Sequence, residues 1–264
     1  MEFVTLNNGI KMPLEGFGVF QVPDNSECEK AVLDALETGY RLIDTAAAYG
    51  NEEAVGNAIK KSGIPREEIF LTTKLWVQDT SYDGAKKAIE TSLKKLGTDY
   101  LDLYLIHQPM GDYYGAWRAM EEEYKIGGLK AIGVCNFYPH VLADFCETVE
   151  ITPMVNQIEL HPFFAQQNAL DLMKEYEVVP EAWGPFAEGK FGIFTHPTLT
   201  EIGKSIARAP HRLRFAGMFS VELLLFRNPP TKTEWSRILT FGILCFPMRI
   251  WRKSQHLIWA KAKL

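Results

Sequence analysis

Cysteine, surplus positive charge and long apolar runs are all scarce in this 264-residue chain, and each shortage argues against a class of function. The four cysteines, Cys28, Cys135, Cys146 and Cys245, stand far apart, with neither metal-ligand spacing nor the pattern of a disulfide framework. No metal site is expected, and a reducing cytoplasm is the expected compartment. Lys and Arg number 28 against 33 Asp and Glu, a net charge of −5. That balance points to neither nucleic acid nor an anionic membrane as a partner. No apolar run approaches the ~20 residues of a membrane span, and Met1-Glu2-Phe3-Val4 opens without a signal-peptide pattern. A Gly-rich dinucleotide fingerprint is also missing. What remains is a chain long enough for one large α/β domain with a substantial core.

Its hydrophobic pattern alternates between two periods. Phe3 to Met12 alternates around Asn7-Asn8-Gly9, a hairpin signal, and Gly16 to Phe20 follows as a strand and its exit. Helical and strand-like stretches then take turns. Helices are predicted at Cys28–Thr38, Asn51–Ser62, Ser81–Leu96, Tyr114–Tyr124, His140–Thr148 and Gln166–Tyr176. Strands are predicted at Arg41–Asp44, Glu68–Thr73, Leu101–Ile106, Leu129–Val134, Met154–Ile158 and Val178–Ala182. In the third helix Ala85, Ile89, Leu93 and Leu96 share one face. Such alternation means parallel β/α units, and seven of them without a Rossmann signature favour a (β/α)8 barrel.

In a parallel α/β fold, sites are built where strands stop. Asp44 ends one strand, and Tyr49 lies just before Asn51-Glu52-Glu53, which has helix-cap chemistry. Lys74 ends the next strand, where an unpaired ammonium is costly, so Asp44 is its natural partner. His107 ends the strand after that. Later strand ends bring Cys135-Asn136-Phe137, Gln157 and Trp183-Gly184-Pro185-Phe186. Asn136 and Gln157 can each offer a donor and an acceptor to a carboxamide, and Trp183 can stack on a flat ring. Taken singly, each has a plainer reading: a turn former, a buried amide, a core indole. His161, before Pro162, reads as structural.

Together Asp44, Tyr49, Lys74 and His107 resemble the catalytic tetrad of the aldo-keto reductases. The flanking runs Asp44-Thr45-Ala46, Asn51-Glu52-Glu53, Thr72-Thr73-Lys74-Leu75-Trp76 and Leu105-Ile106-His107 resemble that family too, and the likeness runs from about Phe3 to Lys204. It implies a TIM barrel with the hairpin plugging its bottom. It also implies reduction of small aldehydes and ketones by NADPH, with NADH as the alternative. Tyr49 would donate the proton, with its pKa, normally ~10, lowered by Lys74; Asp44 would hold Lys74 and His107 would align the carbonyl. Gly18, Val19, Asp44, Cys135, Asn136, Gln157, Trp183, Gly184, Pro185 and Phe186 correspond to the cofactor cradle. Phe20, Trp76, His107, Tyr113 and Tyr114 would line the substrate pocket. The working unit would be a monomer. Cys135 replaces the commoner Ser and Trp183 the commoner Tyr, and Glu15 stands where the family is apolar. A catalytically silent barrel that binds a nucleotide or a partner protein is the competing reading.

The likeness divides the chain into a barrel over 1–204 and a tail over 205–264. The tail carries eleven Lys and Arg against only Glu222 and Glu234, and half of the six tryptophans. The family's eighth strand and its basic loop for the adenosine 2′-phosphate are not legible there. Yet Phe226 to Thr233 can be encoded so that the frame one nucleotide earlier reads Ile-Pro-Lys-Ser-Thr-His-Lys-Asn, and Arg237 to Lys253 likewise permits a family-like ending. The tail therefore reads as a frameshifted translation, and an inactive product is a further alternative. An open barrel favours recruiting an apolar strand, and residues 221–226 are the expected substitute. Glu222 is expected near its start, and Trp235 and Trp251 on the surface.

Overall fold

The computed structural model describes residues 1–205 and 219–223. An antiparallel hairpin, β1 (Phe3–Thr5) and β2 (Lys11–Pro13), turns at Gly9, whose φ of 87° suits a residue without a Cβ. Asn8 accepts from Ile10 N at 3.1 Å and donates to Lys130 O at 3.0 Å, while Asn7 donates to Pro153 O at 3.2 Å. Lys130 and Pro153 lie where the chain enters two barrel strands. The hairpin is thereby held at the end opposite the strand C-termini.

Eight parallel strands close the barrel. They are β3 (Glu15–Gly18), β4 (Leu42–Asp44), β5 (Phe70–Leu75), β6 (Leu103–Ile106), β7 (Ile132–Cys135), β8 (Val155–Glu159), β9 (Val179–Trp183) and β10 (Phe219–Leu223). The last sits between β9 and β3, with Phe219 level with Glu181 and Ser220 level with Glu15. It begins two residues before the expected segment, and residues 224–226 lie outside the described residues. That earlier start moves Glu222 away from the strand's beginning, to the fourth of five positions, opposite Phe17. Trp235 and Trp251 also lie outside the described residues.

The strands are joined by α1 (Asn25–Thr38), α2 (Glu52–Ser62), α3 (Tyr82–Leu96), α4 (Tyr113–Ile126), α5 (Pro139–Thr148) and α6 (Gln167–Glu175), with α7 (Pro197–Ser205) after β9. Their ends follow from capping residues. Asp24 accepts from Ser26 N and Glu27 N, Ser81 from Gly84 N, and Asp112 from Gly115 N. Left-handed Gly39, Gly63, Gly97 and Gly127 close α1 to α4. The buried face of α3 is Ala85, Ile89, Ser92 and Leu96; Leu93 is only half-buried, because Ser92 takes the inner position against Tyr104. Among the described residues no helix is long and apolar enough to cross a membrane.

Candidate active site

Successive strand ends deliver the four expected side chains to one mouth of the barrel. Asp44 is the last residue of β4 and Lys74 the fifth of six in β5, two neighbouring strands. Lys74 is completely buried. Its Nζ donates to Asp44 Oδ1 in a charge-assisted hydrogen bond and to Thr45 O at 3.0 Å. Burial by itself would pull the ammonium's pKa down, but Asp44 and then Tyr49 more than offset this and hold it above its usual value.

Tyr49 ends a one-turn helix, Ala47–Tyr49, which Gly50 closes at a φ of 72°. Lys74 Nζ lies 5.2 Å from the centre of its ring. The expected lowering of the phenol's pKa is not what the structure gives. Burial pushes it up to about 12, and Lys74 reverses only part of that rise while Asp44 adds to it. The ammonium is already neutralised by its carboxylate, so little net positive charge reaches the phenol.

His107 follows β6, its N–H donating to Leu75 O at 3.1 Å. Its ring meets Tyr49 edge-on at 5.6 Å and Trp76 at 5.1 Å. Burial, and then the nearby Lys74 charge, drop its pKa to about 3, so the imidazole is neutral. Its Nδ1 is buried without a partner among the described residues. Phe20 lies 5.0 Å from the Tyr49 ring and stays partly open to solvent. Phe20 and His107 thus pack on the phenol, and Trp76 packs on His107. Tyr113 and Tyr114 do not join them. Tyr114 donates to Asp144 Oδ2 at 2.6 Å, and both rings pack on Phe145, which fastens α4 to α5. Their place in the first turn of α4 turns them toward the neighbouring helix.

Asn51 was expected to cap α2. Its side chain makes no cap bond; it accepts from Thr45 Oγ1 at 2.7 Å and donates to Val19 O and Val22 O at 3.0 and 3.2 Å. It therefore ties the loop after β3 to the loop after β4. Glu52 is buried as well, accepting from Thr73 Oγ1 at 2.8 Å, with Lys95 at 3.6 Å. His161 is structural: Nε2 meets Glu159 Oε1 at 3.0 Å, and Nδ1 accepts from Phe163 N at 3.2 Å.

The other residues expected of a cradle lie on and just after neighbouring strands. Gly18 and Val19 are buried beside Asp44, and Val19 N donates to Asp44 O at 3.1 Å. Cys135 and Gln157 are level on β7 and β8. Asn136 takes a φ of 60°, a conformation Asn tolerates better than most residues. Its Oδ1 accepts from Trp183 Nε1 at 2.8 Å and its Nδ2 donates to His107 O at 3.3 Å, which fixes the indole plane. Gly184 turns the chain at a φ of 62°, leading into buried Pro185 and half-buried Phe186. The donor set fits a carboxamide-bearing aromatic ring. Asn136 uses one amide hydrogen on His107 O and retains the other, while Gln157 donates to Asp44 and has Glu181 beside its amide; the half-buried Trp183 stands beside them.

Two features escaped the sequence reading. One is the tie from Asn51, hidden because a cap and a loop tie use the same residue type. The other is Glu181, wholly buried on β9 and level with Gln157. An acid two residues before Trp183 in an otherwise apolar strand was the available signal.

A family model described as the aldo/keto reductase family matches residues 16–205. A glyoxal reductase of Bacillus subtilis is 46% identical over 210 residues, covering 78% of this chain and 75% of its own. An aldo/keto reductase from Brucella melitensis superposes with a TM-score of 0.87 at 39% identity, over 97% of this chain and 99% of its own. An aldo-keto reductase of Bombyx mori, solved in complex with NADP, superposes with a TM-score of 0.85 at 27% identity, over 97% of this chain and 92% of its own.

Proposed function

The chain belongs to the aldo/keto reductase family, and we propose that it reduces small aldehydes and ketones to alcohols with NADPH, Tyr49 acting as proton donor. The observation that carries this reading is the fully buried Lys74, held by Asp44 at 5.2 Å from the centre of the Tyr49 ring, with neutral His107 packed edge-on against that ring. When bound, the reduced nicotinamide supplies the hydride. Asn136 and Gln157 would hold its carboxamide, and Trp183, with its plane set by Asn136, would lie against the ring. His107 would donate one hydrogen bond to the substrate carbonyl oxygen and orient it. Phe20 and Trp76 would flank the carbonyl and exclude water.

Tyr49 then gives its proton to the developing alkoxide. A phenol raised to about 12 still does so, because an alkoxide is far more basic than a phenolate. Lys74 stabilises the phenolate left behind, and Asp44 keeps Lys74 charged. Glyoxal reduction by the B. subtilis relative and the NADP bound by the Bombyx mori relative support this substrate class and cofactor. The same reading takes residues 1–204 as the catalytic unit, a single chain working in the cytoplasm. The buried free thiols of Cys28, Cys135 and Cys146 suit a reducing compartment.

The test is consumption of NADPH by the purified chain with glyoxal or an aromatic aldehyde, the alcohol being identified as product, beside direct NADPH titration. Stoichiometric alcohol formation supports the reading. NADPH binding without turnover would instead favour the silent barrel.

A further inference from the structure

Near the Asp44–Lys74 pair the barrel holds a second buried acid that the proposed proton transfer does not use. Glu181 lies in the middle of β9, fully buried, between Gln157 of β8 and Phe219 of β10 in register. Gln157 uses its Nε2 on Asp44, leaving Glu181 only a weak amide contact. Both carboxyl oxygens lack a well-formed hydrogen bond among the described residues. Among the described residues the charged and titratable groups around it are Asp44 from β4, Lys74 from β5 and Cys135 from β7. Farther out, Glu159 of β8 sits at the mouth, engaged by His161. Glu222 of β10 is level with Phe17. Lys74 is the only cation in this group and already belongs to Asp44. Among the described residues a carboxylate here would be a buried charge without a counter-ion of its own, which is strongly disfavoured. Consistent with this, burial and then Asp44 push the Glu181 pKa up to about 8.

We infer that Glu181 is a positioning residue for the proton-transfer step, working as a neutral acid that leaves the Lys74 charge directed at Tyr49. With Glu181 protonated, Asp44 and Lys74 sum to no net charge, and the phenolate formed by proton transfer faces an ammonium with one counter-ion. Ionised Glu181 gives Lys74 a second, and phenolate formation becomes harder. Carbonyl reduction therefore slows as pH rises through the Glu181 titration. The effect on rate rests on the proposed reductase activity; the protonation state does not.

Two measurements separate these parts. In the ligand-free chain with 13C-labelled glutamate side chains, one carboxyl resonance should stay in its protonated position at pH 6.5 and move only near pH 8, while the others titrate in the usual range. Absence of any glutamate titrating above pH 7 overturns the proposal, whatever the enzyme does. With turnover established, Glu181→Gln, which keeps the neutral form at all pH values, should carry the alkaline decline of kcat upward by at least about one pH unit. Glu181→Asp should retain a titrating decline. If kcat of wild type and Glu181→Gln decline at the same pH, the proposal fails while the reductase reading stands. A chain that never turns over but shows the high-titrating glutamate leaves Glu181's protonation supported and sinks the reductase reading instead.

Discussion

Gln157 Nε2 donates to Asp44 Oδ2 at 3.0 Å, across the barrel interior and 113 residues of chain. β4 and β8 stand on opposite sides of the eight-strand ring. The contact therefore gives Asp44 a second donor on the side away from Lys74. Replacing Gln157 with Leu removes that donor and leaves one oxygen of a buried carboxylate without a partner. Urea unfolding should report a loss of about 1–3 kcal/mol. No change in the midpoint would mean that Asp44 is adequately held by Lys74 alone.

Tyr49→Phe keeps the ring beside Phe20 and His107 and deletes only the hydroxyl. Loss of a positioned acid should lower kcat by about 10²–10⁴-fold. Cofactor affinity should stay within a few-fold, since the phenol is not among the cradle residues. Parallel loss of NADPH binding, read by fluorescence titration, would show that the substitution disturbed the barrel mouth instead.

His107 carries a pH signature with a definite sign. Its folded pKa, about 3, lies below the ordinary value of 6.5. The unfolded chain therefore takes up a proton at this residue before the folded chain does. The corresponding stability is fully present above pH 6.5 and is lost as pH falls from there toward 3. His107→Gln should flatten this part of the acid-side decline in Tm between pH 7 and 4. An unchanged slope would show that the imidazole is not held neutral. In turnover, no rate limb near pH 6.5 should arise from His107.

Asn51→Asp distinguishes a helix cap from a loop tie. As a cap, Asp would serve as well as Asn. The structure instead uses both amide hydrogens on Val19 O and Val22 O, and Asp would present a carboxylate to two carbonyl oxygens. A destabilisation of about 1–3 kcal/mol is expected, measured by thermal or urea unfolding. A neutral result would return Asn51 to the role of a simple cap.

Much of the architecture was legible because strand and helix periods differ and seven β/α units repeat them. Predicted helices from α1 to α6 lie within three residues of those observed, since caps such as Asp24, Ser81 and Gly97 mark their ends in the chain itself. The clustering of Asp44, Tyr49, Lys74 and His107 was legible for a related reason. A charged residue at the end of an apolar strand is rare, and Asp44, Lys74 and His107 occupy three consecutive strand ends. The packing of Tyr113 and Tyr114 was not legible, because a strand-to-helix loop gives no direction: both meet Phe145 of α5, and Tyr113 also meets Phe137.

The sequence by itself determined which side chains arrive at the barrel mouth, because each is bound to a strand end by local pattern. Charge states and partners were decided only by the closed barrel. Whether Lys74 lowers the Tyr49 pKa depends on the balance between burial and a single shared ammonium, and burial prevails. Whether Glu181 is an ordinary strand residue or an acid facing the Asp44–Lys74 pair depends on bringing β9 round to the strands that began the barrel. Desolvation and Coulomb interaction are set by distance and surroundings in three dimensions, and no one-dimensional spacing encodes them.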